Sequence, residues 1–261
     1  MEGLVDYSRQ AELDQQMRNL KNDTHIIIGV GGVGFWLGIM LAMMGNKQFV
    51  LFEADTIQPS NLNRIPVPQT WVGQNKAIAL RKILRMLRPD INILVMKTFM
   101  TEDGLDILDS FVNKTGNRCL VWDTTDDAKI QRKIYDRCKA RHINYNKIGY
   151  EAFDVGSYKE YSVWYNDNYE TGYRTSMANA ITSVLSAGLG IFNETMGTGK
   201  DFQVNFRTLI RGEEHEPSQE GRPVTGRRPE AGGQPVGSIR EEGIGSFRPI
   251  PVVDNAGTQT I

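Results

Sequence analysis

Four glycines stand at positions 29, 31, 32 and 34, directly behind the apolar run Ile26-Ile27-Ile28. β-Branched residues favour a buried strand, and glycines crowded behind one end it in a turn whose backbone can approach another group closely. The uncharged stretch runs on to Gly45, about the length of a membrane-spanning helix, and Gly34 and Gly38 form a G-x-x-x-G. The glycine cluster weighs against a membrane span, because a continuous helix would carry four of its weakest formers within six positions. The pattern predicts a strand, a tight turn and a short helix from Phe35 to Met44.

Residues 25–148 repeat that alternation. Short apolar runs at Ile26–Val30, Phe49–Phe52, Ile91–Met96, Cys119–Trp122 and Ile143–Ile148 are separated by segments such as Asn75–Leu87 and Lys129–Ala140, whose apolar residues recur at helical spacing. The expected fold class is α/β, a Rossmann-like, mostly parallel sheet with helices on both faces and its ligand beyond the carboxyl ends of the strands. After Gly149 the pattern turns to alternation, as in Tyr158–Tyr165, predicting an appended antiparallel portion. A last helix is expected over Met177–Met196. From Glu213 the composition shifts, with six of the ten prolines in the remaining stretch. The chain therefore divides into a domain over 1–212 and a disordered tail over 213–261. The tail's one apolar cluster, Phe247 to Val253, reads as an incidental cluster in a linker or, alternatively, as a docking segment, and its Gly232-Gly233 reads as linker.

With 30 basic and 31 acidic residues, the formal charge is -1, so no global field draws the chain to nucleic acid or an anionic membrane. Its two cysteines, Cys119 and Cys138, form no C-x-x-C pair, which weighs against a disulfide framework or a cysteine-rich zinc site and fits a reducing cytoplasm. The amino terminus has no basic segment leading into an apolar run, so no secretory signal is expected.

The loop Gly29-Val-Gly-Gly-Val-Gly34 between strand and helix suits a nucleotide phosphate, since bare backbone N–H groups and a helix N-terminus both attract an anion. Glu53, closing the next strand, suits ribose hydroxyls. To this point an NAD-dependent dehydrogenase fits equally well. The order that follows is Glu53-Ala-Asp55, Ser60-Asn-Leu-Asn-Arg64, Val72-Gly-Gln-Asn-Lys76, Arg88-Pro-Asp-Ile-Asn92 and Trp122-Asp-Thr-Thr-Asp126-Asp127. This set resembles the ThiF/MoeB/HesA adenylating enzymes over about residues 7–197, including Tyr7-Ser-Arg9-Gln10 ahead of the first strand.

The resemblance implies ATP and Mg²⁺ as cofactors and adenylation of a carboxylate, belonging to a small ubiquitin-like, sulfur-carrier-type or peptide partner. It implies that Arg9, Arg64, Lys76 and Asp126 are catalytic, with Asp126 also the metal ligand. It places Gly29, Gly31, Gly32, Gly34, Glu53, Asp55, Ser60, Asn61, Asn63 and Asp127 around the nucleotide. It further implies a homodimer in which Arg9 reaches the partner's site. Two departures stand out, Glu53 where relatives often carry Asp and Asp127 in place of Asn. No cysteine follows Cys138, so the expectation is an adenylation-only protein that hands its product to another nucleophile. The alternatives are a non-catalytic nucleotide-binding scaffold and adenylation of a tRNA-base carboxylate leading to dehydration.

Overall fold

A computed structural model of the chain describes residue 8, residue 20 and residues 23–115, 118–151, 154–160, 179–196 and 200–205. All lie in one compact unit, Met1–Pro223. Seven strands form one sheet: β1 (Thr24–Ile28), β2 (Gln48–Phe52), β3 (Asn92–Met96), β4 (Cys119–Asp123), β5 (Asn144–Glu151), β6 (Asp154–Tyr158) and β7 (Phe202–Asn205). Among the described residues they are accompanied by the α-helices α1 (Gly32–Met43), α2 (Lys76–Leu87), α3 (Glu102–Thr115), α4 (Ala128–Ala140) and α5 (Ala180–Met196). The strand order is β3-β2-β1-β4-β5-β6-β7. The first five strands in sequence pair in parallel, whereas β5–β6 and β6–β7 pair antiparallel.

Side chains alternate between two cores. Ile27, Leu51, Leu120 and Trp122 pack under Leu37 and Leu41 of α1, Leu80 and Leu84 of α2 and Ile191 of α5. Ile26, Ile28, Val50 and Val121 point the other way, onto Leu105 and Leu108 of α3 and Ile134 of α4. The continuous apolar run of β1 is buried on both faces for this reason, as parallel strands sandwiched by helices must be. Each such side chain contributes about 1.5–3 kcal/mol on burial.

The uncharged stretch 26–45 is split among β1, the glycine turn and the 12-residue α1. Among the described residues no helix is long and apolar enough to cross a membrane. Helix α1 starts at Gly32, three residues before the expected Phe35, so the last two loop glycines belong to its first turn. The alternating region after Gly149 is antiparallel as expected, with β6 ending at Tyr158, the first residue of the alternating example Tyr158–Tyr165. Residues 161–165 lie outside the described residues, as do Met177 and Ala178 and the whole expected tail, 213–261. Of the last predicted helix, Ala180–Met196 is present.

Candidate functional site

The strand order reverses between β1 and β4, the switch point at whose carboxyl end sheets of this kind bind ligands. The glycine loop follows β1 at that end. Gly29 has φ +84°, and a side chain there would press on the Thr124–Thr125 backbone at 3.2 Å. At Gly34 an added Cβ would collide with the Gly29 carbonyl oxygen and lie 2.6 Å from the Thr124 hydroxyl. Gly31 differs, because an added Cβ would meet nothing within 4 Å. It is also the N-cap of α1, contributes no capping side chain, and is followed by no acidic residue in the first turn. The helical ladder starts with Phe35 N–H donating to Gly31 O, leaving the N–H groups of Gly32, Val33 and Gly34 ahead of it. Unfilled space in front of an uncapped helix N-terminus suits an anion by geometry and by dipole.

Glu53 is 8% exposed, and its carboxylate clamps the loop: one oxygen accepts from Val30 N–H at 2.8 Å, the other from Asp55 N–H at 2.9 Å. Each oxygen keeps a second lone pair. Asn75, absent from the sequence-based set, locks the far side by donating to the carbonyls of Glu53 (2.9 Å) and Asp55 (3.1 Å) while capping α2. Lys76, the first residue of α2, thereby places its ammonium 3.0 Å from the exposed Asp55 carboxylate. In this arrangement Asp55 is a counter-ion to Lys76.

The Ser60–Arg64 segment folds on itself. Asn61 is buried and accepts from Gln58 N–H at 3.0 Å, capping the 3₁₀ turn Pro59–Asn61. Arg64 donates to Ser60 O at 2.8 Å and to Asn63 Oδ1 at 2.9 Å, while its own carbonyl accepts from the Trp36 indole. Ser60, Asn61 and Asn63 thus shape the segment that holds Arg64. Its aliphatic stem lies against Gly32, 3.0 Å from where a Cβ would stand, with the buried Ser183 hydroxyl of α5 on the same spot.

On the β4 side, Asp126 and Asp127 are exposed. Asp127 caps α4, accepting from Lys129 N–H (2.8 Å) and Ile130 N–H (3.1 Å). Beneath them Asp123 is fully buried and accepts from the Thr125 amide (3.0 Å), the Thr125 hydroxyl (2.7 Å) and Tyr145 OH (3.0 Å). Lys147 of β5, 4% exposed at the side chain, has its ammonium 3.8 Å from Asp123 and donates to Thr125 O. Burial pulls its pKa below the ordinary lysine value against the opposing pull of Asp123 and Asp126. Sequence reasoning missed Lys147, although a lysine inside the expected interior strand Ile143–Ile148 was the available signal.

Two sequence features lie elsewhere. The Arg88–Asn92 motif sits at the amino end of the sheet, where Arg88 pairs with Asp90 and reaches Ala42 O. Cys119 opens β4, four residues or about 13 Å of strand from Asp123, and burial pushes its thiol up to about 11. Cys138 is fully buried in α4, with its pKa also raised by burial. Arg9 lies outside the described residues.

A family model described as the ThiF family matches residues 7–164 of the 261. The chain belongs to the ThiF family. It is 29% identical over 107 residues to the heterocyst protein HesA of Trichormus variabilis, covering 39% of this chain and 40% of that protein. With ubiquitin-like modifier-activating enzyme 5 of Drosophila erecta it shares 29% over 157 residues, 55% of this chain and 38% of the relative. With the tRNA threonylcarbamoyladenosine dehydratase of Haemophilus influenzae it shares 26% over 124 residues, 47% and 46% of the two chains. This ThiF-family chain therefore spans less than half the length of these curated relatives. The fold is that of Escherichia coli MccB crystallised with ATP, at a TM-score of 0.57 and 18% identity over 70% of this chain and 58% of that one. It is also that of the Escherichia coli dehydratase TcdA in complex with AMP, at 0.56 and 16% over 75% and 97%.

Proposed function

We propose that this chain binds ATP at the carboxyl edge of β1, β2 and β4 and adenylates a carboxylate, with the C-terminus of a small ubiquitin-like, sulfur-carrier-type or peptide partner as the substrate class. The observation that carries this is the open space before the uncapped start of α1, with the stem of Arg64 against Gly32 and with Lys76 paired to Asp55, whose backbone Glu53 ties to Val30 of the same loop. A carboxylate oxygen attacks the α-phosphorus, forming an acyl–phosphate bond, and the bond to the β-phosphate breaks to release pyrophosphate. Two anions meet in that step and negative charge grows on the phosphoryl oxygens, so fixed donors and cations around them lower the barrier. The α1 N–H groups receive phosphate oxygens, Arg64 lies across Gly32, and Lys76 exchanges Asp55 for phosphate. Glu53 presents its remaining lone pairs to the ribose.

Among the described residues no three His, Cys, Asp or Glu converge as a metal cage. The exposed Asp126 offers one hard carboxylate, which fits a magnesium ion shared with nucleotide phosphates. Magnesium would screen the charge of the phosphates and the leaving pyrophosphate. Neither buried cysteine suits acyl transfer, which supports an adenylation-only role with a separate acceptor. The relatives named ubiquitin-like modifier-activating enzyme favour a protein carboxylate, and the one named tRNA threonylcarbamoyladenosine dehydratase keeps a tRNA-base carboxylate as the second reading. We further propose a homodimer in the cytoplasm with Arg9 acting across the interface. Mixed Arg9→Ala and Lys76→Ala subunits would then regain activity that each variant lacks.

The test is ATP–pyrophosphate exchange with carboxylate-terminated peptides, ubiquitin-like proteins or tRNA, alongside thermal shifts with ATP and NAD. Lys76→Ala is expected to keep its thermal midpoint and slow exchange at least about tenfold. Exchange at wild-type rates in that variant, or stabilisation by NAD alone, overturns the reading.

A further inference from the structure

Lys147 is a costly choice for its position. Its ammonium is buried beside a fully buried Asp123, and replacing such a pair by apolar side chains of similar volume is commonly neutral or stabilising. Stability alone gives no reason for the charge to be there. Its hydrogen bonds do. Asp123 holds the amide and hydroxyl of Thr125, while Lys147 and Gln131 (2.7 Å) hold the carbonyl of the same residue. Thr124 is tied in turn to the glycine loop, donating to the carbonyls of Gly29 and, at 3.1 Å, Ile28. Thr125 is thus gripped from both ends of its backbone, and the next residue is the exposed Asp126. Register pairs Asp123 with Lys147 across β4 and β5, so the grip is anchored in the sheet.

We propose that Lys147 is a positioning residue for adenylation: its buried ammonium fixes the Thr125 carbonyl and so holds the next residue, Asp126, which would ligate magnesium, at the strand end that Thr124 ties to the glycine loop. This rests on the ATP site proposed above. The charge also acts on the exposed Asp126 carboxylate and offsets the repulsion it exerts on an incoming polyphosphate.

The test compares wild type with Lys147→Met, which fills the space without charge or donor, and Lys147→Gln, which keeps a donor without charge. Calorimetry measures ATP binding against magnesium concentration, exchange assays give kcat and KM, and a thermal melt reports the fold. In Lys147→Met we expect the fold retained, KM for ATP within about threefold, kcat reduced about 10–100-fold, and several-fold more magnesium required for ATP binding. Lys147→Gln should fall between. Because Lys147 acts through Asp126, Lys147→Met should cost little further in an Asp126→Asn background. Wild-type kcat and magnesium dependence in Lys147→Met, additive losses in the double variant, or unfolding of both Lys147 variants would overturn the assignment, the last by making the ammonium a prop of the sheet. Failure of the wild-type chain to bind ATP with magnesium would instead remove the underlying ATP site.

Discussion

The two ends of the parallel sheet solve opposite problems with the same kinds of side chain. At the amino end, polar groups pair off with one another and leave little to offer. His25 is fully buried, its Nδ1 accepting from Trp122 at 3.0 Å and its Nε2 placed 3.0 Å from both Leu20 O and Asn46 Oδ1. Arg118 grips Asp23 through two hydrogen bonds, and Arg88 and Lys47 share Asp90. At the carboxyl end, side chains are spent on backbone instead: Glu53 on Val30 and Asp55, Asn75 on Glu53 and Asp55, Lys147 and Asp123 on Thr125. That use of side chains holds a loop in shape and leaves helix N–H groups and Asp126 facing outward. A closed polar network contributes stability, whereas a backbone held by its surroundings contributes a site.

The sharpest way to break this contrast is inside the glycine loop. Gly34→Ala should destabilise the chain by about 1–3 kcal/mol, because its Cβ meets the Gly29 carbonyl, and should abolish nucleotide binding along with it. Gly31→Ala adds its methyl to open space and should leave the thermal midpoint unchanged while weakening ATP binding at least about tenfold, since the methyl takes room a phosphate needs. Melts and calorimetry on the pair check this. Equal loss of stability in both would mean that the loop is merely packed and presents no site.

The same contrast explains what could be read in the sequence. The strands and helices within residues 25–148 were legible because a buried parallel sheet demands apolar runs and its helices demand apolar periodicity. The glycine loop was legible because glycine is required where a Cβ has no room. Motif residues could be assigned to a neighbourhood but not to a task. Asn61 and Asp127 cap turns and helices, and Glu53 clamps the loop, because Asn, Asp and Glu bind backbone N–H groups as readily as they bind a ligand. Lys147 went unread because its partner Asp123 lies 24 positions away in sequence and meets it only through strand register.

A smaller effect belongs to the amino end. Burial lowers the pKa of His25 from its ordinary value of 6.5. Above 6.5 the imidazole is neutral in folded and unfolded chains alike, and the network contributes its full stability. As pH falls below 6.5 the unfolded chain takes up the proton first, so stability declines until the lowered folded-state pKa is passed. His25→Phe should remove this slope and, by leaving the Trp122 N–H unpaired, cost about 1–3 kcal/mol at neutral pH. Nucleotide affinity, measured where the variant is folded, should be unaffected, which separates the two ends of the sheet. Denaturant midpoints from pH 7.5 to 5 read the slope, and a variant that keeps it would place the titration elsewhere.

The smallest expected effect is at Asp90. Arg88 and Lys47 together hold its carboxyl at about 2, below the ordinary 3.8. A carboxylate lowered in this way contributes stability above about pH 4 and loses it as pH falls through the folded value. Its side chain is 43% exposed, so water screens both ion pairs and their contribution stays below about 1 kcal/mol. Asp90→Asn should therefore move the thermal midpoint by only a few degrees at pH 7 and by nothing measurable near pH 2, with exchange activity unchanged. Arg88 would retain its contact with Ala42 O, so the joint between α1 and α2 survives the loss of charge. If Asp90→Asn instead lowered ATP affinity, this edge of the sheet would have to be coupled to the glycine loop through α1, and the division between a closed end and an open end would fail.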